Sequence, residues 1–188
     1  MRNVVLIMTS SVDGYVAAAD GQHAGGMPEP DDLVRWKLDR IRRAGTHIMG
    51  RVTYEEMASF WPTSPDDYAA PMNDIPKVVF SKTLTEAPWP ESSIARGDLA
   101  EEIKALKNQP GGEIIVWGGA GFVQALSRAG LIDQYAIVVQ PVVYGGGKPM
   151  FQGLPDALQL RLMSTTAFHS GTMLHLYEPR GWGAAVSG

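Results

Sequence analysis

The sequence predicts an α/β fold with a mainly parallel central sheet, helices around it and an antiparallel C-terminal hairpin at the edge. Through residues 4–143, apolar runs of strand length alternate with segments whose apolar residues recur at helical spacing. Residues 158–168 and 172–177 then alternate apolar and polar side chains around a short turn, which is typical of a hairpin. Strand and helix in alternation favour a parallel sheet covered on both faces.

Composition limits the class of protein. The chain has 188 residues, of which 45% are hydrophobic and 19% charged, so we expect one domain over residues 1–178 and a disordered Gly-rich tail over 179–188. Sixteen Lys and Arg against twenty Asp and Glu give no basic surface for nucleic acid or membrane. The absence of cysteine and the scattered histidines argue against a metal site. Without a signal-peptide pattern, we expect a cytoplasmic protein.

The first 45 residues supply a strand, a loop and a helix. Residues 4–8 form an apolar strand, and the Gly- and Pro-rich residues 17–30 are expected to be a mobile surface loop of the kind that often acts as a lid. Asp31 and Asp32 can cap a helix that ends near Gly45. Its predicted inner face carries Val34, Leu38 and Ile41. Leu33 and Trp36 lie beside this face.

A second helix follows the short strand at residues 46–49. Gly50 turns into this helix, so that Arg51 and Thr53 lie in its first turn. An arginine is unfavourable there, because its charge opposes the positive pole of the helix. Either an anionic ligand resolves the conflict, or a neighbouring Glu55 or Glu56 pairs with Arg51 on the surface.

The next segment combines a long loop at residues 62–76 with a strand at 77–80. Ser81, Lys82 and Thr83 follow this strand directly. Two hydroxyls and a lysine at the end of a strand can hold a phosphate, although an ordinary polar turn is the commoner outcome for such a tripeptide. Asp98 then caps a further helix.

Residues 113–126, with the sequence EIIVWGGAGFVQAL, predict a strand, a tight glycine turn and a helix. Gly118, Gly119 and Gly121 form the turn. Bare backbone at a helix N-terminus lets a phosphate approach unpaired N–H groups, although glycines in such turns also serve close packing. All three candidate phosphate-binding turns follow strands, and ligands of parallel sheets bind beyond the carboxyl ends of the strands. Residues 50–53, 81–83 and 118–121 are therefore expected to share one site.

Four segments together resemble the dihydrofolate reductase superfamily over roughly residues 2–178. They are GRVTYE at 50–55, VVFSKTL at 78–84, VWGGAGF at 116–122 and PVVYGGGKPMF at 141–151, and they look like the branch related to the reductase domain of riboflavin biosynthesis. The resemblance implies a dihydrofolate reductase-like fold and an NADPH-dependent reductase. It implies that the cofactor phosphates face Gly50, Arg51 and Thr53, and that the adenosine side faces Ser81 and Lys82, with Thr83 beside them. The pyrophosphate would lie against Gly118, Gly119, Ala120, Gly121 and Phe122. The nicotinamide would lie beside Thr9, Val16 and Trp117.

The charges also favour NADPH over NADH, because Lys82 and Arg51 suit a 2′-phosphate. The substrate is less well defined. Asp32 is the nearest match to the acid that binds the pterin in folate enzymes, but it is displaced by two residues and also suits a helix cap. Val138 replaces the threonine of those enzymes, which argues against folate. We therefore expect hydride transfer to a small heterocyclic C=N or C=O compound; dihydrofolate reduction and a non-catalytic NADP-binding module are the alternatives.

Two further expectations concern the backbone and the assembly. The resemblance implies a cis peptide bond between Gly118 and Gly119. Residues 135–143 and the terminal hairpin carry many apolar side chains near a predicted sheet edge, which suggests a homodimer. No proton donor, and hence no catalytic residue, is identified from the sequence.

Overall fold

The computed structural model describes residues 1–182, which form one eight-stranded sheet, a two-stranded sheet and α-helices on both faces. The strands are β1 (Val4–Ser10), β2 (Tyr15–Ala17), β3 (Ala44–Gly50), β4 (Lys77–Phe80), β5 (Ser92–Ala95), β6 (Glu113–Val116), β7 (Gln134–Val139), β8 (Lys148–Pro149), β9 (Leu158–Ala167) and β10 (Met173–Trp182). The helices are α1 (Asp31–Ile41), α2 (Arg51–Phe60), α3 (Ala69–Asp74), α4 (Leu99–Asn108) and α5 (Ala120–Arg128).

The main sheet has the order β5-β4-β3-β6-β1-β7-β10-β9. The strands from β5 to β7 pair in parallel, whereas β10 is antiparallel to both β7 and β9. The predicted fold class is therefore confirmed, including the hairpin at the edge. The small sheet pairs β2 with β8 and was not predicted, because strands of two or three residues leave little periodicity to detect.

Alternation along β1 shows why the sheet is covered on both faces. Val4 and Leu6 are fully buried with residues of α4 and α5 on one face, while Val5 and Ile7 pack on the other face with Leu33 of α1. Successive side chains of a strand point to opposite faces, so only a two-sided core can bury four consecutive apolar residues.

Two predictions about the C-terminal part are corrected. The strand β10 continues to Trp182, so residues 179–182 are not a disordered tail; residues 183–188 lie outside the described part of the chain. Pro179 and Gly181 are accommodated at a register shift between β10 and β9, which lets the pairing continue past them. In addition, the strand predicted at residues 135–143 does not lie at the edge of the sheet. It corresponds to β7, which lies between β1 and β10, and the edge strand on this side of the sheet is β9.

The helices differ from the prediction in three respects. α3 lies within the predicted loop at residues 62–76. The N-cap of α1 is Pro30, and the two aspartates predicted to cap the helix lie in its first turn, where their charge favours the positive helix pole. The buried face of α1 consists of Leu33, Lys37, Leu38 and Ile41, so Leu33 and Lys37 are buried in addition to two predicted residues, while Val34 is only half-buried. Within residues 1–182, no helix is long and apolar enough to cross a membrane.

Candidate functional site

A cleft of about 870 Å³ opens at the carboxyl ends of the parallel strands. Its walls come from the ends of β1 and β3, the first turns of α2 and α5, and the segment around β2. Most residues predicted to bind a cofactor line it: Thr9, Val16, Gly50, Arg51, Thr53, Trp117, Gly118, Gly119, Ala120, Gly121 and Phe122. The predicted meeting of the first and third turns at one site is therefore found.

The glycine turn between β6 and α5 uses a positive backbone angle. Gly118 has φ of +70°, a conformation that glycine adopts without the steric cost of a Cβ atom. Within residues 1–182 there is no cis peptide bond, so the expected cis bond between Gly118 and Gly119 is wrong. The turn combines the left-handed conformation of Gly118 with trans peptide bonds.

Two helix N-termini meet in this cleft. Gly119 and Gly50 are the N-cap residues of α5 and α2, and neither helix has a side-chain cap. The two ends are joined, because the Gly119 N–H donates a 2.7 Å hydrogen bond to Thr53 Oγ1. Helix geometry leaves the next N–H groups, at Ala120 and Gly121, without an intrahelical acceptor. Two positive helix poles therefore face the same space, which favours an anionic ligand.

Arg51 combines both roles that the sequence allowed. Its Nη1 donates to the Glu55 carboxylate at 3.1 Å, one turn along α2, and the side chain also lines the cleft. Both partners are about half exposed, so this ion pair contributes little to stability and leaves Arg51 able to change partner.

Cationic side chains outnumber acidic ones among the residues that line the cleft. They are Lys37, Arg51 and Lys148 against Glu56. Because Lys37 and Arg51 pair with Glu29 and Glu55, the attraction for an anion comes mainly from the two helix poles and Lys148. Within the described residues, no three His, Cys, Asp or Glu side chains are grouped in a way that could hold a metal ion.

Trp117 is held at the cleft by a buried histidine. Its indole Nε1–H donates to His47 Nδ1 at 2.9 Å, and His47 Nε2 lies 3.3 Å from the Pro71 carbonyl oxygen. Because an indole only donates and a carbonyl only accepts, His47 is neutral with its proton on Nε2. Burial lowers the pKa of His47 from 6.5 to about 4, which keeps this arrangement intact at neutral pH.

Comparison with known proteins decides the family. The sequence matches the RibD C-terminal domain over residues 2–174. The chain belongs to this family.

Proteins similar to this chain match it over nearly its whole length. The uncharacterized protein YyaP of Bacillus subtilis is 25% identical over 185 residues, covering 96% of both chains. A provisionally named riboflavin biosynthesis protein from Shewanella sp. PV-4 superposes with a TM-score of 0.79 at 24% identity, covering 96% of this chain and all of that one. Dihydrofolate reductase from Enterococcus faecalis, solved with NADP(H), gives 0.65 at 16% identity, covering 95% and 97%. These structures establish a dihydrofolate reductase-like fold.

Some residues expected from the resemblance lie outside the cleft of this RibD C-terminal domain. Ser81, Lys82 and Thr83 follow Phe80, which lines the cleft, but they do not line it themselves. The Ser81 hydroxyl accepts the N–H groups of Thr83 and Leu84 in a local turn, and Lys82 is exposed. Their part in adenosine binding stays a prediction.

Asp32 does not face the cleft. Its side chain is 66% exposed and lies 3.8 Å from Arg35 on the outer face of α1. The residue of α1 that lines the cleft is Lys37, which was not predicted. The signal for it was present, since Lys37 lies midway between Leu33 and Ile41 at helical spacing. Other missed lining residues, including His23, Gly25 and Lys148, come from loops or the small sheet and carry no such periodicity.

Proposed function

We propose that this protein binds NADPH in the cleft and reduces a C=N or C=O bond of a small, oxygen-bearing heterocycle. The observation that carries the proposal is the meeting of two uncapped helix N-termini, at Gly50 and Gly119, in one cleft. Backbone N–H groups at helix N-termini bind phosphate through hydrogen bonds and the helix dipole. Membership of the RibD C-terminal domain family and the NADP(H) bound to the Enterococcus enzyme support the same cofactor.

The glycine turn fits a dinucleotide because it keeps the backbone accessible. A Cβ atom built on Gly121 meets no atom within 4 Å, so the backbone at this position faces open space. At Gly119 a Cβ atom would lie 3.2 Å from Thr53 Oγ1, within the contact that joins the two helices. A side chain would therefore fill or distort the space that a pyrophosphate needs.

The chain's own residues would bind and orient the two reactants. Arg51 and the N-termini of α2 and α5 would hold the phosphates, while Thr9, Val16 and Trp117, which also line the cleft, would surround the nicotinamide ring. NADPH, when bound, supplies the hydride. The protein's contribution is to fix the distance between donor and acceptor and to exclude water from them.

A cofactor titration tests the first half of the proposal. We expect calorimetry to give tighter binding of NADPH than of NADH by about tenfold or more, because the 2′-phosphate adds charge-assisted hydrogen bonds. If Lys82 binds this phosphate, Lys82→Ala should remove most of the preference for NADPH over NADH. Lys104→Ala, which replaces an exposed lysine on α4, should keep that preference. Equal affinity of the wild type for both cofactors would contradict NADPH selectivity.

A turnover assay tests the second half. We expect NADPH oxidation with the pyrimidinone intermediate of riboflavin synthesis or with a related carbonyl or imine. Dihydrofolate should react poorly, since Asp32 faces solvent. Tight NADPH binding without oxidation of any compound in this panel would indicate a binding module rather than an enzyme.

We also propose that the protein is a homodimer formed through the edge strand β9. Residues 161–167 of this strand are all exposed, and they include Leu162 and Met163 with 51% and 45% of their surface accessible. A long edge strand with exposed apolar side chains is normally covered. Light scattering at micromolar concentration should give twice the chain mass of 20.3 kDa.

Matched variants locate this interface. Leu162→Lys combined with Met163→Lys should yield monomers, while Phe60→Lys, at an exposed apolar residue that ends α2, should not. A monomeric wild type, or a double variant that stays dimeric, would contradict an interface at β9.

A further inference from the structure

The one charged residue that α1 contributes to the cleft is a buried cation. Lys37 is 9% exposed, and its neighbours one turn away along the helix, Leu33 and Ile41, are fully buried. Lysine is rarely buried to this extent without a partner or a function. A position on the inner face of a helix that could be apolar therefore carries an ammonium group next to the cleft.

Glu29 holds this ammonium group in place. Lys37 Nζ donates a hydrogen bond to the Glu29 carboxylate, and the two side chains are only 11% and 14% exposed. Tyr68 is close to this carboxylate. Its hydroxyl donates to the Val34 carbonyl oxygen at 3.4 Å, and burial, and then the charge of Glu29, raise the pKa of Tyr68. Such a pair is costly to desolvate and is weak evidence for stability, so its placement at the cleft favours a binding role.

The ammonium group has donors to spare. A lysine carries three N–H donors, and within residues 1–182 the structure records one hydrogen bond from Lys37 Nζ, the one to Glu29. Glu29 is not among the residues that line the cleft, whereas Lys37 is. With one recorded hydrogen bond, the ammonium group of this lining residue keeps donors for a ligand.

We propose that Lys37 is a specificity-determining residue that donates to a carbonyl or anionic oxygen of the substrate, with Glu29 as its positioning residue. The inference rests on the proposed function and narrows it to rings that present oxygen. Cationic, amino-substituted rings are disfavoured by the like charge of Lys37. An acidic contact from Asp32, as the resemblance suggested, would instead have favoured amino-substituted rings.

Two pyrimidines of similar size but opposite functional groups test this directly. Barbiturate presents oxygens, and 2,4-diaminopyrimidine presents amino groups. The wild type should bind barbiturate more tightly, and Lys37→Met should lose about tenfold or more of that affinity with no loss for the diamino compound. Lys37→Arg, which keeps the charge and donors, should retain the preference. Lys104→Met is the matched control, since it removes an exposed lysine on α4.

A spectroscopic readout covers the case in which Lys37→Met does not fold. In wild-type protein with ¹⁵N-labelled lysine, barbiturate should shift the Lys37 Nζ resonance, assigned from its absence in Lys37→Arg. An unchanged resonance would overturn the proposal. So would equal barbiturate affinity in the wild type and a folded Lys37→Met variant, or a wild type that does not prefer barbiturate.

The same proteins separate this inference from the proposed function. Titrations with both pyrimidines are carried out without cofactor and repeated with saturating NADP⁺. NADPH affinity should be unchanged in Lys37→Met, because the phosphate contacts lie at the N-termini of α2 and α5. A wild type that binds barbiturate through Lys37 but does not bind NADPH would refute the cofactor proposal and leave the role of Lys37 intact.

Discussion

Replacing Gly119 with alanine should weaken NADPH binding by about a hundredfold or more, a free-energy loss near 2.7 kcal/mol, while the domain stays folded. The new methyl group would lie 3.2 Å from Thr53 Oγ1, closer than carbon and oxygen usually approach. That oxygen accepts the Gly119 N–H at 2.7 Å, so the substitution strains the contact that joins α2 and α5. Since both helix N-termini are proposed to hold phosphate, a shift of either affects every phosphate contact.

Calorimetric titration with NADPH, together with urea unfolding, distinguishes lost binding from lost folding. Gly26→Ala is the matched control: it adds one methyl group in open space at a glycine that does not line the cleft, and it should bind NADPH as the wild type does. Gly121→Ala provides a stability reference, since alanine favours the first turn of α5 by up to about 1 kcal/mol. Normal NADPH affinity in Gly119→Ala would show that these glycines serve packing only.

The sequence predicted that these turns lie together at one cleft, because its signals are local. Gly50, Arg51 and the glycines from 118 to 121 each follow a short apolar strand, and parallel strands bring their carboxyl ends to one edge of a sheet. The conflict between Arg51 and the helix dipole was also visible in the sequence. The sequence did not show how this conflict is resolved, because Arg51 both pairs with Glu55 and lines the cleft.

The parts that escaped prediction depend on contacts distant in sequence. His47 lies in β3 and Trp117 directly follows the neighbouring strand β6, and no periodicity in either strand indicates the hydrogen bond between them. Lys37 and Glu29 stand eight positions apart, one in a helix and one in a loop. Only the lysine could have been noticed, as a charged residue on the apolar face of α1.

The end of the sheet illustrates a different limit. Proline and glycine after residue 178 argue for disorder by composition, but β9 extends ten residues and offers β10 a partner through Trp182. Pairing with a long neighbouring strand outweighed weak local strand propensity, as is usual for β structure. The strand β5 and the small sheet were not predicted for the same reason, because short strands acquire their conformation from the strands they pair with.

Acidification should destabilise the protein through His47. The unfolded chain binds a proton at this residue near its ordinary pKa of 6.5, whereas the folded protein does so only near pH 4. Between these values the unfolded state binds more protons, so stability is fully present above pH 6.5 and is lost as the pH falls. The loss attributable to His47 approaches about 3 kcal/mol near pH 4. Protonation of Nδ1 would also remove the acceptor of the Trp117 indole and disturb the wall of the cleft.

Urea unfolding between about pH 7.5 and pH 4.5, followed by tryptophan fluorescence, measures this contribution against two variants. His47→Gln replaces the ring with a neutral amide, so its stability should be lower at neutral pH but should fall less steeply with acid than that of the wild type. His169→Gln, in the exposed turn between β9 and β10, should follow the wild-type curve. Carboxylates titrate in all three proteins, and the difference between the curves therefore isolates His47. Parallel curves for the wild type and His47→Gln would mean that folding does not keep this histidine neutral.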